Sequence, residues 1–140
     1  VIVTKADAGI ATAEDLSGKM GSVESGSAGE SYAASFDGVT TQGFLKQTEC
    51  LTELKAATAD FAVVDEQLAK SYVGKGDYAD LKVVDALTSD VEYYAIGFKK
   101  GSELTAKVNA ALEELLASGK IQEIAVKYGV ENTTLKSFDK

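Results

Sequence analysis

Short apolar runs alternate with stretches of helical spacing along the whole chain. Strand-sized runs lie near Val1, Met20, Val39, Phe61, Leu81 and Tyr94, and helical patterns begin near Glu30, Gln47, Glu66, Ser102 and Gly119. That alternation predicts βαβ units and an α/β fold with a mainly parallel sheet covered by helices on both faces. Turns are marked by glycines and Asx residues, as in Asp37-Gly38, Gly74-Lys75-Gly76-Asp77 and Lys100-Gly101-Ser102, while proline is absent. Further on, Leu104, Val108, Ala111, Leu112 and Leu115 follow the i, i+4, i+7 spacing of a helix that must bury one side. At about 1.5–3 kcal/mol per buried large apolar side chain, leaving that face wet forfeits several kcal/mol.

The chemistry in this pattern sits where two strands end. Residues 20–23 read as a buried strand, which breaks into Glu24-Ser25-Gly26-Ser27-Ala28-Gly29-Glu30 before residues 30–36 take up a helical pattern. Gly26 and Gly29 allow a tight turn, and the first N–H groups of the helix have no partner of their own, so a carboxylate or phosphate can accept from them. A plain strand-to-helix turn is the bland alternative. The second segment, Phe61-Ala62-Val63-Val64-Asp65-Glu66, is an apolar strand ending in an acid where a helix over 66–73 begins. Ligands of open α/β sheets bind outside the carboxyl ends of the strands, so Asp65 and the Ser27, Ala28 and Gly29 amides can line one crevice. The amides suit an α-carboxylate and Asp65 suits an α-ammonium, which together describe a free amino acid. Asp65 also reads as an N-cap of its helix, a role compatible with the first because a carboxylate has two oxygens. Glu24, just before the loop, reads either as a partner for a cationic ligand side chain or as a solvated strand-end acid.

The order and spacing of these pieces resemble the polar amino-acid solute-binding proteins of ABC importers, solute-binding protein family 3. Thr12-Ala13-Glu14-Asp15-Leu16-Ser17-Gly18-Lys19 resembles that family's short helix and entry to a strand, and residues 23–30 resemble its ligand loop. Residues 51–65 resemble its helix, turn and aspartate-ended strand. Tyr93-Tyr94-Ala95-Ile96-Gly97-Phe98-Lys99-Lys100-Gly101 resembles the return crossing between lobes, and residues 104–128 its C-terminal helices. The resemblance implies a periplasmic-binding-protein-like three-layer lobe over residues 1–92, including a first hinge strand. Residues 93–140 then hold the return strand and helices belonging to the other lobe, whose initial part precedes the first crossing. It implies a ligand set of Glu24, Ser25, Gly26, Ser27, Ala28, Gly29 and Asp65, an ABC transporter permease as partner, and an extracytoplasmic location in the periplasm or tethered to the outer cell surface. An amino-acid-sensing lobe of a receptor is the alternative, and a dehydratase-like enzyme of the same fold a lesser one.

Composition narrows these readings. A length of 140 residues with 45% hydrophobic and 26% charged side chains suits one ordinary soluble domain. The formal charge of −8, with the lysines scattered, argues against nucleic acid. All 14 basic residues are lysine, so the arginine with which the family clamps the ligand carboxylate is not in this chain. With no histidine, no metal site and no cofactor are expected, and acid/base catalysis lacks its usual agent. The single cysteine, Cys50, reads as a small buried side chain in a helix beside Leu51 and Leu54. No run is long enough to span a membrane, and the chain opens with neither Met nor a signal peptide, as a processed or dissected chain does. The apolar face from Leu104 to Leu115 is expected to associate with a copy of the chain or with the absent first-lobe segment. Sedimentation in dilute solution is expected to show that association; a clean monomer whose helix is protected from amide exchange contradicts it.

Overall fold

In the computed structural model, which describes residues 1–137, the apolar alternation builds one five-stranded sheet. Its strands are β1 (Ile2–Lys5), β2 (Met20–Glu24), β3 (Thr40–Phe44), β4 (Phe61–Val63) and β5 (Leu81–Val83), in the spatial order β3-β2-β4-β1-β5. β2 pairs parallel with β3 and with β4, while β1 pairs antiparallel with β4 and with β5. Every strand but β1 therefore points the same way, and the sheet is mixed because β1 sits between two of them.

Period-2 alternation sorts the side chains into two core layers. Ile2, Val23, Phe61 and Val63 face one layer, where Ile10, Leu16 and Ala33 cover them; Ala33 belongs to α1 (Ala28–Ala33). Val3, Ala62, Val64 and Leu81 face the other, covered by Cys50, Leu51 and Leu54 of α2 (Gln47–Lys55) and Ala69 of α3 (Glu66–Tyr72). The result is helix, sheet, helix. Cys50 is fully buried as expected, and burial pushes its thiol up to about 11, which leaves it an unreactive core residue at neutral pH.

β4 reaches its place by passing over β2. From β2 the chain moves to β3 on one side, then returns through α2 to β4 on the other side. The strand order thus reverses between β2 and β4, which makes their shared carboxyl end a topological switch point. The close pairing of Gly21 with Phe61 depends on the missing side chain: a Cβ on Gly21 would lie 2.5 Å from the Phe61 ring.

The sheet and its helices form one compact unit, Val1–Val91, and Glu92–Lys140 forms a second. In the second unit α4 (Leu104–Ala117) and α5 (Lys120–Tyr128) pack on each other. No residue of α4 is buried, and Leu104 is 54% exposed, so the predicted apolar face is present but largely open to solvent. The strand expected near Tyr94 does not form: residues 92–99 have no regular structure. A strand needs a neighbour for its N–H and C=O groups, and no described strand pairs with this segment, so its alternating Tyr94, Ile96 and Phe98 have no sheet to join.

Because Phe61 is fully buried, its ring has little room to retreat from an added methyl group. Gly21→Ala is expected to destabilise the Val1–Val91 unit by about 1–3 kcal/mol in chemical denaturation, an overpacking cost. A change below about 0.5 kcal/mol contradicts the close approach.

Candidate functional site

The loop after β2 is tied down by four internal hydrogen bonds. Ser25 N–H donates to the Phe44 carbonyl at 2.9 Å, and Ser27 N–H donates to the Glu24 carbonyl at 3.2 Å. Ser27 then caps α1, its Oγ accepting from Glu30 N–H at 3.2 Å, while the Glu30 carboxylate reaches back to accept from Gly26 N–H at 2.7 Å. This is an offset form of the capping box, in which the acid three residues after the cap reaches back past it to the N–H of the preceding residue. Gly26 adopts a φ of 74°, which a side chain would disfavour. Gly29 is needed for another reason: it lies in the helix, and a Cβ there would come 3.1 Å from Val63 Cγ1. Its absence lets α1 settle against β4.

Two donors remain. Among the described residues, the backbone N–H groups of Ala28 and Gly29 have no acceptor, and they point out of the first turn of α1 where the helix dipole is positive. The Ser27 hydroxyl has a hydrogen of its own to give, since its oxygen is the acceptor in the cap.

Asp65 follows β4 at the same end of the sheet. Its Oδ1 accepts from Gln67 N–H at 2.8 Å and Leu68 N–H at 3.2 Å, so it is the N-cap of α3. Glu24 ends β2, half-buried, and its Oε2 accepts from Gln47 Nε2 at 3.0 Å. Gln47 also accepts the Asp65 N–H on Oε1, at 2.7 Å. One glutamine therefore bridges the ends of both strands. The carboxyl ends of β2 and β4 therefore carry two backbone donors without an acceptor, a hydroxyl and two carboxylates.

No family model matches the chain. The arginine-binding extracellular protein ArtP of Bacillus subtilis is 30% identical over 131 residues, covering 91% of this chain and 51% of that protein. The crystal structure of the substrate binding protein of an amino acid ABC transporter superposes with a TM-score of 0.79 at 27% identity, over 91% of this chain and 58% of that one. Domain 2 of TmArgBP is 34% identical with a TM-score of 0.53, over 60% of this chain and 91% of that domain. The chain belongs to the amino-acid solute-binding proteins of ABC transporters. It spans about half the length of the curated relatives it matches.

The structure brings Glu24, Ser27, Ala28, Gly29 and Asp65 of this chain to one end of the sheet. Ser25 and Gly26 lie in the same loop, but their N–H groups are spent internally, and the Ser25 hydroxyl sits over Gly43, where a Cβ would approach it within 2.3 Å. Two residues of the crevice escaped the sequence reading. Glu30 could have been found as the acid three residues after a serine cap, a capping-box spacing. Gln47 carried no signal, because its role depends on β3 and β4 flanking β2. Among the described residues no cluster of His, Cys, Asp or Glu could hold a metal ion, and no helix is long and apolar enough to cross a membrane.

Proposed function

We propose that the chain binds a free amino acid, cationic by preference, at the carboxyl ends of β2 and β4, and that the protein it serves delivers this ligand to an ABC importer. The observation that supports this most is that the unbonded amides of Ala28 and Gly29 and the Asp65 carboxylate follow the carboxyl ends of two paired parallel strands, β2 and β4. The amides and the Ser27 hydroxyl receive the α-carboxylate, Asp65 receives the α-ammonium, and Glu24 faces the cationic end of the side chain. Each contact is a charge-assisted hydrogen bond, worth about 1.5–3 kcal/mol.

The reading extends to the chain's organisation. Residues 1–92 act as the second ligand-binding lobe with its first hinge strand, and residues 93–140 as the return segment and helices of the other lobe. Capture then works by hinge closure of two lobes over the ligand. Binding without chemistry is supported by the absence of any histidine for acid/base work and by relatives named as binding proteins. The setting is extracytoplasmic, where importers collect their solutes, and the B. subtilis relative is named an extracellular protein.

An amide NMR titration of the chain with L-arginine, L-lysine, L-glutamine and L-glutamate tests this. Saturable shifts are expected at Ala28 and Gly29, strongest with the basic amino acids. Asp65→Asn, which keeps a capping oxygen but loses the charge, is expected to weaken binding about tenfold or more. Shifts confined to other parts of the chain, or none with any of the four at tens of millimolar, overturn the reading.

A further inference from the structure

Gln47 is the first residue of α2, yet it does nothing for its own helix. That helix start is served by Glu49, whose Oε2 accepts from Leu45 N–H at 3.1 Å and from Lys46 N–H at 3.2 Å. The Gln47 side chain instead spans two other elements, meeting Glu24 at the end of β2 and Asp65 at the end of β4. Its orientation is set by chemistry. Asp65 N–H is a donor and nothing else, so the group facing it must be the amide oxygen. The amide nitrogen is then the end that meets the Glu24 carboxylate.

We infer that Gln47 is a positioning residue for charge selection, holding the Glu24 carboxylate over the crevice without neutralising it. The inference rests on the amino-acid reading above and adds to it the residue that makes Glu24 selective. A glutamate with three side-chain torsions at a strand end samples many rotamers, and a carboxylate spread over them pairs weakly with a ligand cation. One neutral N–H donor removes much of that freedom. A lysine or arginine in the same place would hold the carboxylate equally well but cancel its charge, leaving nothing for the ligand. Glutamine supplies the donor for Glu24 and the acceptor for Asp65 in one uncharged group. Because that group also holds the Asp65 backbone, it fixes the spacing between the carboxylate for the α-ammonium and the carboxylate for the side chain.

The test is the ratio of affinities for L-arginine and L-citrulline, a neutral ligand of nearly the same shape, measured by amide NMR titration of the full 140-residue chain. E24Q is expected to bring the ratio close to one. Q47M is expected to lower it about tenfold, the effect of losing one donor to a charged group. Q47K, which keeps a donor but adds a positive charge, is expected to lower it as far as E24Q does. In the E24Q background, Q47M is expected to change the ratio no further, because the two residues act through one interaction. Equal weakening of both ligands in Q47M, or a further drop of the ratio in the double variant, makes Gln47 a merely structural bridge and overturns the inference. If the unsubstituted chain binds neither ligand, the amino-acid reading itself falls and takes this one with it, an outcome visible before any substitution is made.

Discussion

The structure hangs on the parallel pairing of β2 with β4. Two registers define it, Gly21 with Phe61 and Ser22 with Ala62, and both lie in the dry centre of the sheet. Ser22 strengthens the pairing from inside: its buried hydroxyl lies 3.2 Å from the Phe61 carbonyl and 3.0 Å from the Cys50 carbonyl, joining β2 to β4 and to α2. A buried hydroxyl without such partners would cost about 1–3 kcal/mol. With the strands held side by side, the loop after β2 and Asp65 after β4 have to emerge together. The meeting of Gln47 with both strand ends is a consequence of that pairing.

Much of this was legible in the chain itself. Strands at Met20, Thr40, Phe61 and Leu81 follow from apolar runs bounded by turns, and the Asp65 cap follows from residue type at a strand-to-helix junction. What escaped depends on pairs of residues far apart in sequence. Nothing local says that β1 runs against its neighbours, or that β4 crosses over β2. Gln47 lies 23 residues from Glu24 and 18 from Asp65, so its bridge exists only once three strands are placed. The segment around Tyr94 fails differently. Its alternation has the local signature of a strand, but strand structure requires a neighbour, and local pattern cannot supply one.

The loop also shows how an ordinary helix start is left with donors to spare. A first turn leaves several donors unsatisfied, and a protein can satisfy all of them internally. Here Glu30 and Ser27 satisfy the flanking groups and stop, so Ala28 and Gly29 are the donors left over. Glu30 also sets a limit, because its carboxylate already sits against the same helix end and repels a second anion. A bare phosphate therefore meets repulsion with little compensation. A zwitterion whose ammonium reaches Asp65 brings its own compensation, and a cationic side chain reaching Glu24 brings more. The formal charge of −8 adds a long-range attraction for such a ligand, effective at low ionic strength.

The central claim is geometric: the α-carboxylate of the ligand sits on the two unspent amides of α1. A crystal structure of the chain grown with L-arginine tests it most directly. The account predicts a carboxylate oxygen within hydrogen-bonding distance of Ala28 N–H or Gly29 N–H, with the guanidinium directed to Glu24. An ordered arginine bound elsewhere, or one in this crevice with its carboxylate turned away from both amides, would contradict it.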